Sequence, residues 1–194
     1  YLNIVYLADR YATGTGANYK LVLYPNERDI TRIISEAMGV VCGAYLLNNE
    51  LKIDWNHIFP FYINPVNKIK GRRPDLILVD VNNGPGTIIL AECKGTTVAN
   101  SINSILTNAK NQLNVKIPTV VIKETYATCT FIPKNPTPLS PSINAYDPPV
   151  DDSAEIIEKE TIELIMMDRI VRMALFAGLE NLGLYLYLKK IDGS

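Results

Sequence analysis

The chain has 194 residues, 47% of them hydrophobic, and a formal net charge of −1. This length and apolar content set one folded domain as the expectation and exclude a disordered chain. The near-neutral balance excludes a global electrostatic pull toward nucleic acid, so any such binding must come from a local patch.

Three cysteines, Cys42, Cys93 and Cys129, are widely spaced and form no CxxC pair. That argues against a disulfide framework, a zinc ribbon or an iron–sulfur cluster, and a reducing cytoplasm is the expected compartment. The chain opens on Tyr1 rather than methionine, so its true start is expected to be missing, and no signal peptide is visible. No run of about 18 uncharged apolar residues occurs, so no membrane partner is expected.

In chain order, residues 2–7 and 19–24 are β-rich runs on either side of Thr13-Gly14-Thr15-Gly16, which predicts an N-terminal hairpin. The glycine pair lacks the third glycine and the following Lys-Ser/Thr of a phosphate-binding loop. From Asp29 to about Tyr45 the apolar period changes to three and four (Ile30, Ile33, Ile34, Ala37, Met38, Val41), which predicts a helix capped by Asp29 and ended near Gly43. Glu36 lies off that stripe, one turn after Arg32. Residues 51–55 and 59–63 suggest one bent strand or two short ones, because Pro60 disfavours a continuous central strand.

A basic loop comes next: Lys68, Lys70, Arg72 and Arg73 lead directly into Pro74-Asp75. Two buried strands are expected after it, Leu76-Ile77-Leu78-Val79 and Ile88-Ile89-Leu90-Ala91, joined by the turn Asn82-Asn83-Gly84-Pro85-Gly86. A helix is predicted over 101–114, with Ile102, Ile105, Leu106, Ala109 and Leu113 inward. Strands are predicted over 119–123 and 128–132. Residues 133–149 hold six prolines and are expected to form a long loop. The segment 151–177 reads as helix with Ser153 as a cap, and 184–188 alternates like a strand. The whole is a single α/β domain with a mixed sheet flanked by helices, a core over about 29–124 and a C-terminal extension over 151–194.

The hairpin of the two apolar strands carries the chemistry. It sets Asp75, at the start of one strand, beside Glu92, at the end of the other, and Lys94 faces the same side as Glu92. Two carboxylates and an ammonium at a sheet rim suit a hard cation and a phosphate. The metal-ligand set read from the sequence is Asp75, Glu92 and the backbone carbonyl of Cys93, with magnesium or manganese as the cation. Glu36 is a further candidate contact. Lys94, beside a divalent cation, is expected to have a lowered pKa, and it could orient or deprotonate water or stabilise charge.

Pro74-Asp75 and then Glu92-Cys93-Lys94, on consecutive strands after a helix carrying Glu36, resemble the PD-(D/E)XK nuclease superfamily, with its restriction-endonuclease-like fold. The element order from Asp29 to Lys123 is similar to that family's αβββαβ core, which covers roughly half of the chain. The resemblance implies a metal-dependent nuclease with Asp75 and Glu92 as metal ligands, Lys94 as the catalytic lysine and Glu36 as the acid of the first core helix. Gln112-Leu113 is similar to the glutamine motif of the RecB-like branch and would make Gln112 a nucleic-acid contact.

Plainer readings stand beside these. Asp75 can be a strand-entry residue, Glu92 and Lys94 a same-face ion pair, Glu36 a surface partner of Arg32, and the basic loop a solvated charge run rather than a phosphate-backbone contact. His57, the only histidine, fits a packed or surface role. Ser101 and Ser104 lack a partner histidine for nucleophilic catalysis. Cys93 reads as core, and the apolar C-terminal helix as core or a homodimer interface. Function is therefore expected to be phosphodiester hydrolysis of DNA. A junction-resolving nuclease, a non-catalytic nucleic-acid-binding module and a subunit of a larger assembly are the alternatives.

Overall fold

The computed structural model describes residues 12–13, 20–21, 28–61, 74–80, 87–118, 120–134, 139–149 and 154–156, with positions 167, 170, 171, 178, 179, 181, 182 and 185. The basic loop with Lys68, Lys70, Arg72 and Arg73, the turn 82–86 and the run 2–7 lie outside them.

Two residues each of β1 (Ala12–Thr13) and β2 (Lys20–Leu21) pair antiparallel, and β2 falls within the β-rich run 19–24. Helix α1 spans Arg28–Leu51 and runs through Gly43 rather than ending there. Asp29 lies in its first turn, where a carboxylate favours the helix dipole, and is not the residue before the helix. The buried face also differs from the expected stripe. Ile34 is buried, whereas Ile33 and Val41 are exposed, and the face against the sheet is Thr31, Ser35, Gly39, Gly43 and Leu47 at steps of four. Small and polar residues carry no hydropathy signal, so periodicity points to the wrong edge of the helix. By length and composition α1 would also pass for a membrane span; here it packs along β5 and β7.

After α1 comes a 3-10 turn, Trp55–His57, started by Asp54, whose carboxylate accepts from Asn56 N–H at 2.9 Å. Strand β3 is Ile58–Pro60, short and at the sheet edge, where a proline is tolerated. Residues 51–55 therefore form no strand. The two central runs fold as expected: β4 is Leu76–Val79 and β5 is Thr87–Thr96, longer than the apolar run because it continues through Glu92-Cys93-Lys94. A 3-10 turn (Ala99–Ser101) leads into α2, Ile102–Leu113, with Ala109 and Leu113 fully buried. Strand β6 is Val115–Lys116, and β7 is one continuous strand, Val121–Phe131, rather than the expected two.

The five-stranded sheet has the order β3-β4-β5-β7-β8. Strand β4 runs antiparallel to both of its neighbours, β3 and β5, and β7 runs parallel to β5, as a crossover through α2 requires. Strand β8 is Ser142–Tyr146, antiparallel to β7. It corrects the expectation of an irregular loop over 133–149: the prolines flank a five-residue proline-free stretch that pairs on one side only. Strand β9 (Glu155–Ile156) pairs parallel with β6, so the helix expected over 151–177 does not hold at residues 155–156; Ser153, its expected cap, lies outside the described residues. Met167, Ile170 and Val171 are helical as expected. Tyr185 is also helical, against the strand read over 184–188; the other four positions of that run are outside the described residues.

The sheet is apolar on both faces, which explains unbroken strands such as Leu76-Ile77-Leu78-Val79. Ile77, Ile88, Leu90 and Ala127 meet Ala109 and Leu113 of α2. Leu76, Leu78, Ile89, Ala91 and Cys93 meet Ala44 and Leu47 of α1. Alternation along β5 then sets the direction of each residue past Leu90: Cys93 points to α1, whereas Glu92 and Lys94 continue the α2 face.

Candidate active site

In the β4–β5 ladder Leu76 lies opposite Ala91, so one step further Asp75 comes opposite Glu92. Strand β4 ends there, while β5 continues to Thr96 with only β7 beside it among the described strands. The unpaired rim is where the polar groups gather. Asp75 Oδ2 accepts the Cys93 N–H at 2.9 Å, replacing the ladder bond that β4 no longer supplies. The same oxygen lies 3.8 Å from Lys94 Nζ, and Lys94 also forms a close ion pair with Glu92 Oε1. The three residues singled out in the sequence are thus brought together.

Their environments differ sharply. Asp75 and Lys94 side chains are one-third exposed, whereas that of Glu92 is 1% exposed. Among the described residues Glu92 Oε2 has no hydrogen-bond donor. Burial first, then the negative charge of Asp75, pushes the Glu92 carboxyl from 4.5 up to about 7, against the pull of Lys94. For Lys94, burial opposes the charge but is outweighed by the bond to Glu92 and by both carboxylates, so its pKa is raised. The lowered value expected beside a divalent cation concerns a metal-loaded site, whose added positive charge this balance of protein groups does not include.

A cleft of about 340 Å³ opens at this rim, lined by Glu36 and Val40 from α1, Asp75, Cys93, Lys94 and Gly95 from the strands, and Ile105 from α2. Glu36 therefore reaches the cleft. It is also exposed and pairs with Arg32 at 3.4 Å, so the two readings of this residue coexist. Gln112 does not line the cleft, and its buried Oε1 has no hydrogen-bond partner among the described residues. Cys93 Sγ is buried on the α1 side and its thiol is pushed up to about 12, chiefly by burial, which keeps it a protonated core group. The contact of Cys93 with Asp75 is made by its amide rather than its carbonyl. Cys42, Cys93 and Cys129 are all free.

The fit to a cation rests on Glu92. An unbonded, buried carboxylate oxygen next to a second carboxylate is short of positive charge, and one ammonium serves both acids. Among the described residues no group of three or more His, Cys, Asp or Glu side chains converges. A cation held by Asp75 and Glu92 alone keeps several waters, which is the habit of magnesium.

Gly39 and Gly95, which bring α1 into contact with the backbone at Lys94, are positions that sequence reasoning misses. The available signal is the spacing of Gly39 and Gly43, four apart on one helix, together with a glycine directly after Lys94.

No protein-family model matches the chain, and neither does any curated protein or solved structure.

Proposed function

We propose that the chain is a metal-dependent nuclease of restriction-endonuclease-like fold that hydrolyses the phosphodiester bonds of DNA. The observation that carries this reading is the placement of Asp75 and Glu92 on neighbouring strands with the Lys94 ammonium within reach of both; Asp75 and Lys94 line the cleft, and Glu92 lies buried beside them. The order α1, β3, β4, β5, α2, β7 supports it, since it runs as the αβββαβ series of that fold.

Asp75 and Glu92 would hold magnesium or manganese, with water completing the shell. When bound, the cation lowers the pKa of a water and offsets charge on the phosphate. The Lys94 ammonium would meet a phosphate oxygen and the charge that builds there. Asp75 keeps the β5 rim in place through the Cys93 amide while presenting its carboxylate to the cleft. Glu36, which α1 contributes to the cleft lining, would orient water.

The test is incubation of single-stranded, duplex and branched DNA, and of RNA, with magnesium or manganese. Wild type is compared with Asp75→Asn and Lys94→Ala. Cleavage is expected from wild type and should fall at least about a hundredfold in each variant, the scale of losing one charge-stabilising group. Cleavage that survives in both removes the site assignment. Binding without cleavage in either metal makes the chain a binding module.

A further inference from the structure

Two aliphatic side chains share the cleft with the charged groups, and metal and phosphate chemistry gives them no task. Val40 of α1 and Ile105 of α2 line it together with Glu36, Asp75 and Lys94. The two helices pack on opposite faces of the sheet, so apolar surface reaches the rim from both. Each side chain is tied to Lys94 by a short route. Val40 follows Gly39, where a Cβ would lie 2.5 Å from the Lys94 carbonyl carbon and from the Gly95 nitrogen, so α1 and β5 meet through bare backbone. Ile105 stands in the first turn of α2. The turn from β5 into that helix is closed by hydroxyls: Val98 N–H donates to Thr96 Oγ1 at 3.1 Å, Ser101 Oγ donates to the Val98 carbonyl at 2.7 Å, and the two hydroxyl oxygens lie 3.0 Å apart. The apolar surface is thus preformed.

A nucleotide joins a charged phosphate to a base whose flat faces stack on side chains. In a duplex those faces are covered by the neighbouring base pairs, and only base edges show in the grooves. The site is also recessed, with the Glu92 side chain buried and those of Asp75 and Lys94 one-third exposed. A base whose phosphate reaches Lys94 can therefore touch Val40 and Ile105 only when it is out of the stack. Extruding a paired base costs free energy that an unpaired base does not pay. The cleft volume, about 340 Å³, is at the small end for ligand sites and suits one nucleotide.

We propose that the cleft is a nucleobase slot and that the substrate is a strand unpaired at the scissile phosphate, its base packed on Val40 and Ile105. This deepens the nuclease reading and depends on it. The experiment maps cleavage, in magnesium or manganese, of a labelled single strand carrying one abasic nucleotide at each position in turn. The bond beside the abasic nucleotide should be cut about tenfold more slowly than in the intact strand, the scale of one lost base contact. In Val40→Ala/Ile105→Ala the intact strand should already be cut at that slower rate, and removing the base should change nothing more. Annealing a complement across the bond should slow wild type at least about tenfold, and a mismatched bubble there should restore the rate. The strand comparisons use wild type alone, so they decide the matter even if the double variant does not fold. A duplex cut as fast as the single strand, an abasic nucleotide without effect, or an equal abasic effect in wild type and variant overturns the slot and leaves the nuclease reading standing. No cleavage of any DNA or RNA removes both.

Discussion

Replacing Glu92 by glutamine should make the protein more stable at alkaline pH and leave it nearly unchanged in acid. The fold opposes the charge of Glu92: its side chain is 1% exposed and its pKa is raised from 4.5 to about 7. A raised folded-state pKa means that the folded chain holds a proton which the unfolded chain has released. The stabilisation is complete below about pH 4.5 and is lost as pH rises through about 7. A shift of this size corresponds to roughly 3 kcal/mol between the two protonation states, and glutamine, always neutral, removes it. Loss of the Lys94 contact takes back part of that gain, because Lys94 is then left with Asp75 alone. The net expectation is about 2 kcal/mol in favour of Glu92→Gln at pH 8, on the scale of a buried charge relieved. Urea unfolding of both proteins in a chelator, from pH 4.5 to 8.5, measures it. Magnesium added at pH 8 should restabilise wild type, by about 2.7 kcal/mol at a hundred times its dissociation constant, and leave Glu92→Gln far less affected. Parallel stability curves for the two proteins across this range would refute the reasoning, since Glu92 would then titrate as an ordinary acid.

Two further substitutions separate site from scaffold. Glu36→Ala removes an exposed pair at 3.4 Å from Arg32, so unfolding should change by no more than about 0.5 kcal/mol; a severalfold loss of metal-supported cleavage at unchanged stability would then report its place on the cleft wall. Leu78→Ala empties a fully buried position between β4 and α1. It should cost about 2–5 kcal/mol in urea unfolding, and a loss under 1 kcal/mol would place the core elsewhere.

The site is legible in the sequence because it depends on local rules. Two four-residue apolar runs with a turn between them make an antiparallel pair, and a period of two puts Glu92 and Lys94 on one face opposite Asp75. Each step needs only neighbours along the chain. Elements whose boundaries are set by partners escape the same rules. Residues 121–131 carry weak polar positions at Glu124 and Thr125, yet β5 alongside holds them in one strand. Ser142-Ile143-Asn144-Ala145-Tyr146 has no strong strand signal among its flanking prolines and becomes β8 because β7 offers an open edge.

The identity of the polar groups, and of the two strands that carry them, is written along the chain itself. Their chemistry comes from tertiary packing. Glu92 becomes a weaker acid because the fold leaves its side chain 1% exposed, with Ala127 of β7 alongside on the sheet and the Asp75 charge nearby, and desolvation is a property of packing. Lys94 is held where α1 presses its bare backbone on β5, through Gly39 and Gly95. Distant chain segments supply that contact, and no pattern along one segment encodes it.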